Sequence, residues 1–277
     1  MTPHIHLHVL ASGSKGNAAV VEGPTGSVLV DCGISRKRLL ERARETGCDL
    51  TRIEAILVTH EHSDHTSGLP VVFRYFGVPL VATAGTATGR TSLADLPFTL
   101  VDHDATLNFG GMHIRAFPTS HDVNDPMCFR FEVRDESGPD DELLDAVAWA
   151  TDTGYLTDEA LDALYGCRIL GIEANHDPRM LATGRYPSWL KARVASERGH
   201  LSNAQAAEAL PTLITHHTET VVAMHLSEEN NRPSIVIRTL AEAMGAQPVN
   251  STYTEARTSD GLLSICAAAQ HHALSIW

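Results

Sequence analysis

Residues 58–68 read VTHEHSDHTSG and place three histidines and one aspartate, His60, His62, Asp64 and His65, within six positions. Imidazole and carboxylate groups are the ligands that zinc, iron and manganese take from proteins. The residues just before the cluster, EAILVTH at 54–60, have the apolar run of a short buried strand. We therefore predict a metal site at the carboxyl end of that strand, because a plain polar turn has no need of this density of ligands.

Further candidate ligands follow other predicted strands in the same way. Each lies at or just beyond the carboxyl end of a different strand, or in the loop after it, which is how a scaffold gathers ligands from distant parts of a chain. A carboxylate can also bridge two ions that lie a few ångströms apart. These residues are Asp31, His121, Asp152, Glu173 and His225.

The first part of the chain alternates strands with helices and predicts an α/β fold. Residues 5–12, 18–23 and 27–33 are apolar or alternating runs between turn-rich segments, and they predict a β-meander. Residues 36–47, RKRLLERARETG, predict a helix that ends at Gly47.

The second part continues the same alternation. The capping-box pattern from Ser202 to Gln205 predicts the start of one helix, and Pro233 predicts the start of another. Between the two parts, the polar and acidic residues 134–145, RDESGPDDELLD, predict a surface turn.

Composition limits the class of protein. The 277 residues, 43% of them hydrophobic, fit one sizeable α/β domain or two small halves packed as one. The net charge of −13 disfavours coating of nucleic acid by bulk electrostatics, although a local basic surface or a bound metal can still receive phosphates. Five scattered cysteines without a CxxC pair indicate a reducing cytosol. With no long apolar stretch and no Lys or Arg in MTPHIHLHVL at the start, we expect a cytoplasmic protein with no membrane partner.

Five segments also carry a resemblance to a known superfamily. VLVDCG, ILVTHEHSDH, PTSHD, TDTG and VAMHLS resemble, in order, the signature segments of metallo-β-lactamase-fold hydrolases over almost the whole chain. The resemblance implies a four-layer αβ/βα sandwich of two mixed β-sheets flanked by helices. It also implies a single domain over residues 1–277, made of two pseudo-symmetric halves without an inserted cap domain.

Within that superfamily, three longer segments resemble the YycJ/WalJ branch, cytosolic proteins regarded as 5′-3′ DNA exonucleases. The second half is also similar to the tRNA 3′-processing nucleases. Both comparisons imply a phosphodiester substrate. The segments are LASGSKGN, EANHDPRMLATGRYPSWLKARV and RGHLSNAQAAEAL with MHLSEENN.

The resemblance implies a role for each candidate ligand around two divalent ions, zinc or manganese, with iron as a further option. One ion would take His60, His62 and His121, and the other would take Asp64, His65 and His225. Asp152 would bridge the two ions, and Asp31 would support the site from behind the ligands. Two such ions lower the pKa of a bridging water and neutralise charge that develops on a phosphate.

The leaving oxygen of a phosphodiester needs a proton. His200 is the candidate acid, and Glu173 would orient and charge its imidazole. Asp64 is a candidate acceptor for the proton of the attacking water.

Departures from other branches narrow the class. Because His65 and Asp152 are both present, hydrolysis of β-lactam drugs is disfavoured. A carboxylate stands at the position of His62 in flavodiiron proteins, so redox chemistry is disfavoured as well. The interval between Asp152 and His225 is too short for the cap domain of the larger RNA-processing relatives, and RNA processing becomes an alternative function.

Two segments are candidates for contact with a polynucleotide. Residues 178–198, the basic segment, contain five Lys or Arg residues against Glu197, and they include Arg185 and Lys191 as candidate phosphate ligands. Tyr186 and Trp189 in the same segment could stack on bases, with core packing or an ordinary solvated helix as an equally good explanation.

The SGSKGN turn is the second candidate. It offers Ser12, Ser14, Lys15 and Asn17 to a phosphate, although a plain turn uses the same residue types.

Several histidines do not enter the predicted site. His4, His6 and His8 alternate along one strand, so we expect them on an exposed face. His176 and Asp177 lie close to Glu173, and we expect them to support the site.

The prediction from the sequence is a metal-dependent phosphodiesterase, with a 5′-3′ DNA exonuclease as its most specific form. The alternatives are a small-molecule or cyclic phosphodiesterase, an RNA-processing nuclease, a thioester hydrolase of the glyoxalase kind and a non-catalytic scaffold protein. The Glu173 and His200 pair argues against the thioester hydrolase, and the complete ligand set argues against the scaffold.

Overall fold

The predicted meander forms the first three strands of the computed structural model, which describes residues 4–135 and 141–277. β1 (His6–Ala11), β2 (Ala18–Glu22) and β3 (Ser27–Val30) pair antiparallel in chain order. Nearly every side chain of β2 and β3 is buried, which explains their continuous apolar runs.

One mixed sheet grows from this meander. β4 (Ile53–Leu57), β5 (Leu80–Ala82) and β6 (Phe98–Leu100) follow β3 as parallel neighbours. At the other edge, β16 (Leu274–Ile276) pairs antiparallel with β1. Among the described residues the order is β16-β1-β2-β3-β4-β5-β6. The histidine cluster therefore follows an interior strand, as predicted.

The second sheet is also mixed. Its strands are β7 (Thr106–Phe109), β8 (Met112–Pro118), β9 (Met127–Asp135), β10 (Glu142–Ala150), β11 (Ile169–Glu173), β12 (Thr220–Met224), β13 (Gln247–Pro248), β14 (Glu255–Arg257) and β15 (Ser264–Ala267). Within the described part of the chain their order is β13-β14-β15-β12-β11-β10-β9-β8-β7. The pairs β11 with β12 and β12 with β15 are parallel.

Helices flank both sheets. Leu39 of α1 (Arg36–Thr46) packs with Leu69 and Val72 of α3 (Leu69–Phe76) in the apolar core of the first sheet. In the second sheet, α9 (Pro233–Met244) packs against α8 (Asn203–Leu213) and β15. None of the described helices combines the length and the hydropathy needed to cross a bilayer. The helices are α1 (Arg36–Thr46), α2 (Ser63–Thr66), α3 (Leu69–Phe76), α4 (Ala84–Thr88), α5 (Asp158–Leu164), α6 (Pro178–Thr183), α7 (Ser188–Val194), α8 (Asn203–Leu213) and α9 (Pro233–Met244).

Two mixed β-sheets flanked by helices confirm the predicted fold class. The chain divides into two compact units, and β10 contains one of the four points at which the chain passes from one unit to the other. The prediction of a single domain stays a prediction. Residues 136–140, the centre of the predicted surface turn, lie outside the described residues. The first unit holds the described parts of Met1–Pro118, Val123–Val147 and Gln270–Trp277, and the second holds Thr119–Asp122 and Ala148–Ala269.

The exposed face predicted for His4, His6 and His8 is wrong at His8, which is fully buried. Its Nδ1 lies 2.7 Å from the hydroxyl of Ser275, in the strand that pairs with β1. Burial is the main reason that the pKa of His8 lies below its ordinary value, although the nearby Glu22 carboxylate opposes the shift.

Candidate metal centre

The histidine cluster of the first unit spans a loop and the short helix α2. Two residues separate His60 from the end of β4, and His62 is the N-cap residue just before α2. The ring centroid of His60 lies 4.8 Å from that of His62 and 4.1 Å from that of His65. His60 and His65 are buried, whereas His62 and Asp64 are partly exposed. The loop followed by a helical turn thus brings the three imidazoles of this motif together.

Asp31 supports this cluster, as the resemblance implies. Its fully buried carboxylate accepts hydrogen bonds from the backbone N–H and the hydroxyl of Thr59, both at 2.8 Å. The same carboxylate lies 2.8 Å from Nδ1 of His65. Because Asp31 holds the hydrogen on Nδ1, the lone pair of this imidazole lies on Nε2, the atom that can bind a metal.

Asn17 is a second buried neighbour of His65. Its Nδ2 lies 3.0 Å from Nε2 of His65, the lone pair of which a bound metal would take instead, and its Oδ1 accepts from the backbone N–H of Gly13 at 2.8 Å. Asn17 and Ser12 are buried, whereas Ser14 and Lys15 are exposed. Of the four predicted phosphate contacts in this turn, the structure therefore leaves only Ser14 and Lys15 open to solvent.

Two residues near the cluster were not predicted from the sequence as part of the site. Thr59 bonds Asp31, and its hydroxyl also lies 3.0 Å from Nδ1 of His60. Glu61 is 6% exposed and accepts a hydrogen bond from the backbone N–H of Asn124, while its Oε2 is buried without a hydrogen-bond partner among the described residues. Both residues are neighbours of His60 in the sequence, and this was the only signal from which their roles could have been predicted.

Three of the predicted residues share an uncommon backbone conformation. Asp31, Asp152 and His225 have φ values of 58°, 57° and 56°, in the left-handed region that non-glycine residues seldom adopt. Each follows a strand, so the chain turns sharply there and directs the residue out of the sheet. Strain of this kind is concentrated at functional sites in proteins.

Glu173 organises the cluster of the second unit. Its Oε2 accepts backbone N–H groups of Thr153 at 2.8 Å and Leu201 at 3.3 Å. Its Oε1 lies 2.8 Å from Nδ1 of His200 and 3.0 Å from Nδ1 of His225. Burial alone would raise the pKa of this carboxyl, but the charge of His200 and the hydrogen bonds from both imidazoles lower it to about 2.

Asp152 and His121 complete this cluster. Oδ1 of Asp152 lies 3.6 Å from Nδ1 of His200 and 3.6 Å from Nδ1 of His225. It also lies 3.8 Å from Nε2 of His121. Asp152, Glu173, His200 and His225 each offer one potential ligand atom, and these four atoms lie within 4.8 Å of one another.

The residues present fit divalent metal ions. Four of the predicted histidine ligands have Nδ1 within hydrogen-bond distance of an oxygen, which leaves Nε2 as the atom for a metal and matches the support that metal-binding histidines usually have. The pairs are the hydroxyl of Thr59 with His60, Asp31 with His65, the carbonyl of Gly199 with His121, and Glu173 with His225.

The basic segment forms α6 and α7. Arg185 is exposed, whereas Nζ of Lys191 donates to the carbonyl of Ala182 at 2.7 Å and so joins the two helices. The two ends of the basic segment contact other parts of the second unit. The structure thus offers the Arg185 side chain to a ligand more openly than that of Lys191.

His176 and Asp177 stand just before this segment. The carbonyl of His176 accepts from the N–H of Asn203, and the carboxylate of Asp177 accepts from the N–H of Met180 as the N-cap of α6. Burial is the main reason that the pKa of His176 falls to about 4. Both residues therefore hold the loops near Glu173 together.

Comparison with known proteins gives a consistent result. The family model described as the beta-lactamase superfamily domain matches residues 27–226. Exodeoxyribonuclease YycJ of Bacillus anthracis is 33% identical over 87% of this chain and 89% of its own length. Exodeoxyribonuclease WalJ of Streptococcus pneumoniae is 34% identical over 85% of this chain and 87% of its own length.

A solved structure agrees in fold. The metallo-beta-lactamase fold protein YhfI of Bacillus subtilis matches with a TM-score of 0.66, covering 99% of this chain and 100% of its own, at 14% identity. This likeness concerns the fold alone.

Proposed function

The chain belongs to the beta-lactamase superfamily, and we propose that it is a metal-dependent phosphodiesterase that degrades DNA from the 5′ end. It is a hydrolase of that superfamily. The observation that carries the proposal is the pair of Glu173 and His200. A buried carboxylate holds Nδ1 of an imidazole whose side chain is still 19% exposed, so one ring edge is fixed and the other remains open to a substrate.

Family membership implies divalent metal ions, and the clusters of His and Asp provide donors that suit them. We assign His60, His62 and His121 to one ion, Asp64, His65 and His225 to a second, and Asp152 to both. When bound, two such ions would supply a water of lowered pKa and positive charge beside the phosphate. Zinc and manganese suit this donor set, and iron is a further option.

The protein's own residues would move the protons. Because Glu173 holds Nδ1 of His200, the proton for the leaving oxygen would come from Nε2 of His200. The carboxylate of Glu173 would fix the orientation of the imidazole for this transfer. Asp64, which is partly exposed, would accept the proton of the attacking water.

A DNA substrate is supported by the two exodeoxyribonuclease relatives and by the basic segment in a chain of net charge −13. We propose a cytosolic location, since all five cysteines are free thiols.

The test is the degradation of end-labelled single-stranded and duplex DNA, with 5′-phosphate or 5′-hydroxyl ends, by protein loaded with Mn²⁺ or Zn²⁺. The variants His62→Ala and Asp64→Ala should lose activity. His217→Ala, at an exposed histidine in a loop, is the matched control and should retain it. Stepwise loss of nucleotides from the 5′ end supports the proposal. Cleavage of a small phosphodiester without cleavage of DNA would replace it with the small-molecule function, and cleavage of RNA alone would replace it with RNA processing.

A further inference from the structure

Trp189 is an exposed aromatic side chain in α7 of the basic segment. It is 67% exposed, although large aromatic side chains are usually mostly buried. A single exposed aromatic residue is common on protein surfaces and by itself indicates no function. Trp189 is of interest because its helix contacts the loop of a predicted metal ligand in the second unit.

The end of α7 is bonded to the loop that carries His121. The guanidinium of Arg193 pairs with the carboxylate of Asp122, next to His121. Nδ1 of His121 donates to the carbonyl of Gly199 at 2.9 Å, and the guanidinium of Arg198 donates to the carbonyl of His121. Trp189 lies one helical turn before Arg193, so the two side chains lie on the same side of the helix.

The start of the basic segment is held as well. The backbone N–H of Asp177 donates to the carbonyl of Asn230 at 2.9 Å, and Asp177 caps α6. A side chain at Gly184, between the helices, would come within 2.6 Å of Oδ1 of Asn230. The basic segment is thus held at both ends, which restricts the backbone that carries Trp189 before any ligand arrives and lowers the entropy cost of binding.

The basic segment that carries Trp189 also carries exposed positive charge. Arg179 and Arg185 are exposed in it. Exposed arginines and an exposed aromatic ring on one segment are the combination that binds single-stranded nucleic acid, since the cations take phosphates and the ring takes a base face.

We propose that Trp189 stacks on an unpaired base of the DNA, beside the nucleotide that is cleaved, and that the protein consequently prefers single-stranded or frayed 5′ ends over blunt duplex ends. This inference rests on the proposed DNA exonuclease function. It adds the recognition of a base, which the metal ligands and the His200 pair do not supply.

The test measures binding of metal-loaded protein to a labelled, 5′-phosphorylated oligodeoxynucleotide with cleavage-resistant phosphorothioate linkages. Trp189→Ala should weaken binding between about fivefold and about a hundredfold, the range for loss of one stacked base. Trp189→Phe should recover most of the affinity. Trp277→Ala is the matched control, because Trp277 is 58% exposed and lies in the other unit, and it should bind like the wild type.

A second arm separates stacking from a general loss of fold. Oligonucleotides with one abasic site at each of the first three positions should bind the wild type more weakly at one position, while Trp189→Ala should show no further loss there. If the wild type binds and cleaves DNA but Trp189→Ala binds equally well, or the loss is the same for abasic and intact DNA, the stacking role is wrong and the exonuclease function stands. If the wild type neither binds nor cleaves DNA, both proposals are wrong.

Discussion

The carboxylate of Glu173 lies 2.8 Å from Nδ1 of His200, and Glu173 has no exposure to solvent. The same oxygen also contacts His225, a predicted metal ligand. One buried carboxylate therefore orients both a predicted acid and a predicted ligand, and variants at the two ends of the contact should differ in effect.

Replacing His200 with Ala should lower turnover by about a hundredfold to ten thousandfold, the usual contribution of a general acid. Metal content, measured by elemental analysis of the purified protein, should stay at the wild-type level. Loss of metal from the variant would instead make His200 a ligand, in line with the four potential ligand atoms that lie within 4.8 Å of one another.

Glu173→Gln should lower metal affinity as well as turnover. The amide that replaces the carboxylate would hold the imidazoles of His200 and His225 less firmly. Losses of this kind usually cost about tenfold to a hundredfold in metal affinity. Competition with a chromophoric chelator measures this, with Glu208→Gln on the exposed side of α8 as the control. Equal metal affinity in wild type and variant would show that Glu173 acts on His200 alone.

Asp31→Asn should reduce metal affinity by a similar factor. The amide group would present an N–H toward Nδ1 of His65, which moves the imidazole proton to Nε2 and removes the lone pair needed for a metal. Asn tolerates the left-handed backbone at this position, so the fold should persist. The same chelator competition applies, with Asp260→Asn as an exposed control. Unchanged affinity would contradict the supporting role of Asp31.

Asn17 and Lys15 should behave differently although both were predicted to contact phosphate. Asn17→Ala removes the acceptor of the buried N–H of Gly13, while the carbonyl of Gly13 keeps its hydrogen bond from the N–H of Gly16. The variant should therefore lower the free energy of unfolding by about 1 to 3 kcal/mol. Lys15→Ala removes an exposed side chain and should change it by less than about 0.5 kcal/mol. Urea unfolding of metal-free protein compares them. Equal stability of the two variants would refute the buried role of Asn17.

Stability should also depend on pH through His176. Its pKa is about 4 in the folded protein, below about 6.5 for a free imidazole, so the unfolded chain binds more protons between these values. The free energy of unfolding of metal-free protein should therefore decrease as the pH falls from 6.5 to 4. His176→Gln, which cannot take up the proton, should show a smaller decrease, and exposed His217→Gln should match the wild type. Parallel curves for wild type and His176→Gln would contradict this assignment.

Much of the fold could be predicted because its signals are local. The helix 36–46 ends at Gly47, whose φ of 73° is the left-handed conformation expected there. The capping box of Ser202 and Gln205 is present at the start of α8. Apolar period and capping groups act within a few residues, so the sequence contains their full cause.

Other elements could not be predicted, because their cause lies far along the chain. β16 is a short strand that exists through its pairing with β1, and that pairing buries His8 against Ser275. The pattern of β1 alone predicted an exposed histidine there. Thr59 and Asn17 likewise have ordinary residue types, and their contacts with His60 and His65 show only in three dimensions.

The superfamily and the candidate ligands could be predicted from short segments that resemble known motifs, and the alternation of strands and helices could be predicted from periodicity along the chain. The residues that support those ligands became evident only in three dimensions. Asp31 against His65 and Glu173 between His200 and His225 are contacts over long sequence separations. They form because buried polar groups must find hydrogen-bond partners once the core excludes water, and the partner is whichever group the fold brings within reach.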